Sequence, residues 1–126
     1  MISWFEKHNK ISWTIAILNA IAIFYISSLT FTGTPKEGFA YLPIIYHFLA
    51  FASLCAFLLI SLIKGNKSKK RLIWIGIIIA IVYGISDEIH QLFVPGRSGN
   101  FQDVLTDSAG VIVAGIIYAI RLRFKK

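Results

Sequence analysis

Four apolar stretches, most of them as long as a bilayer-crossing helix, leave this chain little choice of fold. Residues 11–29, 42–63 and 104–122 are almost uninterrupted apolar runs. Their main polar residues are Asn19, Ser27 and Ser28 in the first, His47 near the start of the second, and Thr106, Asp107 and Ser108 in the first turns of the last. Spanning takes about 20 helical residues at about 1.5 Å each. The third run, Leu72–Ser86, reaches only about 22 Å against a hydrocarbon core of about 30 Å. Its helix is therefore predicted to continue through Asp87-Glu88-Ile89-His90-Gln91-Leu92-Phe93 and to stop before Pro95-Gly96. That brings ionisable residues close to the far interface. Such residues are costly in a membrane, which makes them functional candidates.

Composition closes the alternatives. The 126 residues are 56% apolar and 15% charged, against roughly 45–50% and about 25% in soluble domains. A soluble chain of this size could not hide so much apolar surface. Disorder requires low hydrophobicity, and Cys55 has no second cysteine to pair with in the chain. The expectation is one all-α integral membrane domain over residues 1–126, a four-helix transmembrane bundle with spans near 11–29, 42–63, 72–93 and 104–122. A secretory signal peptide is the competing reading of residues 1–29. The apolar run is longer than the usual 7–15 residues and no A-x-A-like site follows it, so a retained first helix is expected.

The formal charge of +7 is distributed as topology requires. All of the 13 basic residues except Lys36 and Arg97 lie before the first span, between the second and third, or at the C-terminus. The positive-inside rule then predicts both termini and the middle loop in the cytoplasm. Trp4, Trp13 and Trp74 fall at the same interface, as in an aromatic belt. The basic residues sit on no soluble module, so nucleic acid is not expected as a partner; the lipid bilayer is.

All acids except Glu6 fall on the opposite half: Glu37, Asp87, Glu88, Asp103 and Asp107. His47, His90, Gln91, Arg97 and Asn100 accompany them. At about 100° per residue, Asp87, His90 and Gln91 share a face of the third span, with Glu88 at its flank and Ile89 opposite. Gly76, Ala80, Tyr83 and Gly84 continue that face, and small residues at this spacing let another helix approach. Asp103 and Asp107 are i, i+4 neighbours, followed by Gly110 and Ala114 on the same stripe. Two such stripes also permit a homo-oligomer. Ser98 or Asn100 is the expected N-cap of the last helix. Arg97 is the only charge in the loop 93–100, facing four carboxylates that it cannot neutralise alone. Some of them must be protonated, solvated, or paired with His47, His90 or a cation.

The run Gly84-Ile85-Ser86-Asp87-Glu88-Ile89-His90-Gln91-Leu92-Phe93-Val94-Pro95-Gly96-Arg97, with Asp103, Asp107 and Gly110 after it, resembles the signature of the VanZ family. The match lies at Glu88, Gln91, Pro95, Gly96, Arg97, Asp103 and Gly110. Asp107 stands where many members carry Asn. His47-Phe48 and Phe24-Tyr25-Ile26-Ser27-Ser28 resemble the family as well, so the likeness covers nearly the whole chain. It implies a multi-pass protein of the bacterial cell envelope, linked to resistance to glycopeptide antibiotics, teicoplanin in particular, in Gram-positive bacteria. It does not supply a particular reaction or name a cofactor.

Three functional readings follow. In the first, a non-enzymatic envelope protein binds a lipid-linked precursor or glycopeptide at its outer face. Arg97 holds a phosphate or carboxylate, and Gln91, Asp103, Asp107 and His47 shape the site. In the second, a membrane-embedded enzyme acts on a lipid-linked substrate, with Glu88 or Asp87 as base, His90 or His47 as its partner and Arg97 as anion clamp. A divalent cation bridging carboxylates and a phosphate belongs to this reading. No metal-ligand motif is assigned, because Glu88 and His90, at i and i+2, do not face each other. The third reading, a small drug exporter, suits four spans, but the first two spans lack the deep ionisable residue that proton coupling needs.

Overall fold

The computed structural model of the chain describes residues 1–30 and 41–126. Lys36 and Glu37, placed above in the first connection, lie outside the described residues. The described residues form five α-helices: α1 (Ile2–Lys7), α2 (Asn9–Ser27), α3 (Leu42–Ile63), α4 (Leu72–Gln91) and α5 (Phe101–Phe124), with a short 3₁₀ turn at Lys67–Lys69. Helices α2 to α5 are each long and apolar enough to cross a membrane. The chain is an all-helical, multi-pass membrane protein.

The helix ends follow local chemistry. Pro43 opens α3, where a missing backbone N–H costs nothing. Helix α4 ends at Gln91, two residues short of the sequence expectation. The chain leaves it through i to i−3 bonds, Leu92 N–H to Ile89 O at 3.2 Å and Phe93 N–H to His90 O at 3.0 Å, a tightening common at helix ends. Helix α5 begins at Phe101, ahead of its apolar span, because Asn100, one of the two expected caps, is its N-cap and its side chain accepts the Gln102 N–H at 3.0 Å. The separate helix α1 was not anticipated. Ser12 holds it against α2 by donating to the Phe5 carbonyl at 2.7 Å.

Helix α3 is the centre of the bundle and packs against the other four. Its buried Phe51, Leu54, Cys55, Leu59 and Ile63 form the core with Ile23, Ala80, Val111, Ala114, Tyr118 and Leu122. Outward faces remain apolar: Ile17, Leu18, Ile78, Val82, Ile116 and Ile120 are all exposed. In water such a surface would drive aggregation, whereas lipid tails accept it.

Small residues set the helix spacing. A side chain at Gly110 would run into the Phe48 carbonyl oxygen and the Ala52 nitrogen, so α5 lies backbone to backbone against α3. On α4, Gly76, Ala80 and Gly84 are buried too, with Gly76 under the Leu59 side chain and Gly84 against those of Phe51 and Asp107. Both stripes thus pack helices within the chain. Polar ties fix the register. Asn19 donates to Ser53 Oγ at 2.9 Å, and Tyr83 Oη donates to the Ala20 carbonyl at 2.6 Å, joining α2 to α3 and to α4.

Candidate functional site

The buried stripe of α4 decides which of its polar residues face the interior. Gly76, Ala80 and Gly84 advance by four, and the same face then carries Asp87, Glu88 and Gln91. Those three are 4%, 5% and 3% exposed. Glu88 is therefore a central member of the face rather than its flank. His90 takes the flank. Its ring stacks on Phe24 at 4.5 Å, and Nε2 lies 3.0 Å from Ser28 Oγ, so it faces α2 and stands apart from the carboxylates.

Helices α3 and α5 bring the remaining members. His47, one turn into α3, and Asp107, two turns into α5, are 7% and 1% exposed. His47 Nδ1 stands 2.9 Å from Asp107 Oδ1. Its other ring nitrogen faces Asp103 Oδ2 at 3.9 Å. The close backbone approach at Gly110 makes this pairing possible, because it brings the start of α5 against the start of α3.

Glu88 is held from two sides. Oε2 accepts the backbone N–H of Asn100 at 2.9 Å, and Oε1 accepts from Gln91 Nε2 at 3.4 Å. Gln91 Nε2 also donates to Asp87 Oδ2 at 3.2 Å. Helix α4 is thereby tied to the N-cap of α5 across the intervening loop. Asn100 was read only as a cap; its N–H as a partner of Glu88 carried no sequence signal. Arg97 lies in that loop, partly buried, and its backbone N–H closes a turn on the Val94 carbonyl at 3.1 Å.

All eight residues singled out from the sequence thus lie at one end of the bundle, and six of them form one cluster: His47, Asp87, Glu88, Gln91, Asp103 and Asp107. One ligand atom each from His47, Glu88 and Asp107 lies within 4.8 Å of the other two. Two carboxylate oxygens there, Asp87 Oδ1 and Asp107 Oδ2, are buried without a hydrogen-bond partner among the described residues. The arrangement can accept protons, donors or a cation.

The other end holds a second polar cluster, which the sequence analysis missed. Glu6 of α1 is 6% exposed. It accepts from Arg121 of α5 and from Lys125, just past the end of α5, the latter at 2.8 Å, and from Tyr118 Oη at 3.1 Å. Tyr118 Oη also accepts the Gly65 N–H at 3.2 Å. Gly65 has φ 67° and lies against Glu6 and Lys125, where a side chain would not fit. The only available signal was that Glu6 is the one acid among the basic segments. A groove of about 640 Å³ also opens at this end, between Lys67, Lys70, Arg71, Trp74 and Arg123.

No curated protein and no solved structure matches the chain. A family model does: the one described as VanZ/LLP1 matches residues 3–122, from α1 into the last turn of α5. With nearly every residue of the bundle and the whole acid-rich cluster inside that match, the chain belongs to the VanZ/LLP1 family.

Proposed function

We propose that this chain is a plasma-membrane protein of the bacterial envelope that binds a lipid-linked anionic ligand at the acid-rich end of its bundle. That end faces outward on the positive-inside orientation. One observation carries the reading: His47, Asp87, Glu88, Gln91 and Asp107 are buried together at one end of the bundle, with no Lys or Arg among them. Polar groups in a membrane interior are expensive, and a bundle that needed only stability would replace them. Arg97, in the loop between α4 and α5, is proposed as the ligand's anchor, because a guanidinium carries the planar donors that fit a phosphate or carboxylate.

The family resemblance adds teicoplanin resistance as the expected phenotype. The test is expression in a glycopeptide-susceptible Gram-positive host, with wild type and Arg97→Ala matched for membrane abundance. Raised teicoplanin tolerance that disappears in the variant supports the reading, and tolerance unaffected by Arg97→Ala overturns the anchor role. Orientation is checked with Ser98→Cys, which should react with an impermeant thiol reagent added outside intact cells.

A second reading, a membrane-embedded enzyme acting on a lipid-linked substrate, draws on the 2.9 Å contact between His47 and Asp107. A carboxylate on one ring nitrogen orients a histidine for proton transfer by the other. Turnover of an isoprenoid-phosphate or phospholipid substrate by reconstituted protein, lost in His47→Ala, would favour it.

A further inference from the structure

We propose that His47, Glu88 and Asp107 form a divalent-metal site. It occupies the same end of the bundle as the ligand reading but does not rest on it. The three side chains come from α3, α4 and α5, and one ligand atom from each lies within 4.8 Å of the others. His47 Nδ1 and Asp107 Oδ1 are 2.9 Å apart. That is a hydrogen-bond distance, and it is also roughly the separation of neighbouring ligands on an ion with bonds of about 2.0–2.1 Å.

An independent observation points to a missing partner. Asp107 is 1% exposed, one of its oxygens bonds His47, and Oδ2 has no hydrogen-bond partner among the described residues. Oδ2 faces α4 at Gly84, where a Cβ would stand 3.3 Å away, one turn before Glu88. Any side chain at Gly84 would therefore crowd this oxygen. The adjacent Asp87 repeats the pattern, with Oδ2 bonded to Gln91 and Oδ1 buried without a partner among the described residues. A cation between the three helices would satisfy Asp107 Oδ2.

The neighbours are arranged as supports of a metal site commonly are. Gln91 and the Asn100 N–H orient the Glu88 carboxylate. Asp103 faces the second ring nitrogen of His47. One imidazole and two carboxylates suit a first-row ion such as Mn²⁺ or Zn²⁺, while a calcium site wants six to eight oxygens. Three protein ligands leave positions for water or an anionic oxygen. Spacing along the sequence could not show this set, because no two of its members share a helix.

The test uses the full chain purified in detergent, stripped with a chelator, and equilibrated with Mn²⁺ or Zn²⁺ without lipid or antibiotic. Bound metal is counted by mass spectrometry after gel filtration, and Mn²⁺ is followed by loss of its free-ion paramagnetic resonance signal. One ion per chain is expected. His47→Ala and Asp107→Asn should weaken binding at least tenfold, while Glu6→Gln, at the opposite end, should bind as wild type does. Circular dichroism separates lost ligands from lost helix. Wild type that retains neither ion overturns the site, as does undiminished binding by both helical ligand variants. Neither result bears on the Arg97 phenotype, which is read in cells.

Discussion

The two ends of the bundle each bury carboxylates, and they treat them in opposite ways. At the basic end Glu6 is almost fully enclosed and fully provided for, with Arg121, Lys125 and Tyr118 donating to its two oxygens. At the acidic end Asp87, Glu88 and Asp107 lie together, and two of their oxygens have no hydrogen-bond partner among the described residues. A buried charge with its partners clamps helices together, whereas a buried charge without them costs stability. The comparison teaches that the first cluster serves the fold, fastening α1 to the end of α5, and that the second is kept in spite of the fold. Residues held at a cost to stability are the ones to examine for function.

The comparison can be broken most directly at the basic end. Replacing both Arg121 and Lys125 with Ala leaves Glu6 buried without a cation, and should cost about 3–5 kcal/mol. Thermal unfolding in detergent measures it, and an unchanged midpoint would show that the cluster is ornamental.

Glu6→Gln keeps the shape and removes the charge, at an expected cost of about 1.5–3 kcal/mol. The same variant sharpens the pH behaviour. Burial alone would raise the Glu6 pKa, but the hydrogen bonds and charges of Arg121 and Lys125 outweigh it and hold the carboxyl below its ordinary value. A depressed folded value means that the stabilisation is complete above the ordinary glutamate pKa, about 4.3, and is lost as pH falls through the lower folded value. Unfolding midpoints of wild type and Glu6→Gln should therefore converge on acidification below about pH 4. A gap that persists there would assign the loss to packing instead.

Tyr118→Phe removes the donor to Glu6 and the acceptor of the Gly65 N–H, for about 1 kcal/mol. The smallest effect belongs to the acidic end and has the opposite sign. Asp87→Asn should leave stability unchanged or raise it by up to about 1 kcal/mol, because it relieves an incompletely partnered charge. A loss larger than that would erase the contrast between the ends.

Much of this was legible in the sequence. The apolar runs predicted the four long helices, because crossing a hydrocarbon layer imposes length and composition directly. The short third run predicted that Asp87–Gln91 would extend the helix, and α4 does reach Gln91. Helical spacing gave the α4 and α5 stripes, and both proved to be buried seams. The same arithmetic erred by part of a turn at Glu88 and His90. Spacing fixes angles within one helix, but the direction a face points is chosen by its neighbours. Here the approach of α3 and α5 to Gly84 turned Glu88 inward and left His90 to Ser28 and Phe24.

By itself, the sequence determined what is local and additive: which segments are helical, where they cap, how long each apolar run is, and which end of the bundle is acidic. Only the tertiary structure decided which charges meet. His47 joins Asp107, Asn100 holds Glu88, and Glu6 reaches across the chain to Arg121 and Lys125. Each of these pairs joins separate elements, and a separation along the chain places no bound on a distance in space. At the acidic end, backbone packing at Gly110 and the fit of Phe51 and Asp107 against Gly84 set those distances, and both exist only once the helices have assembled.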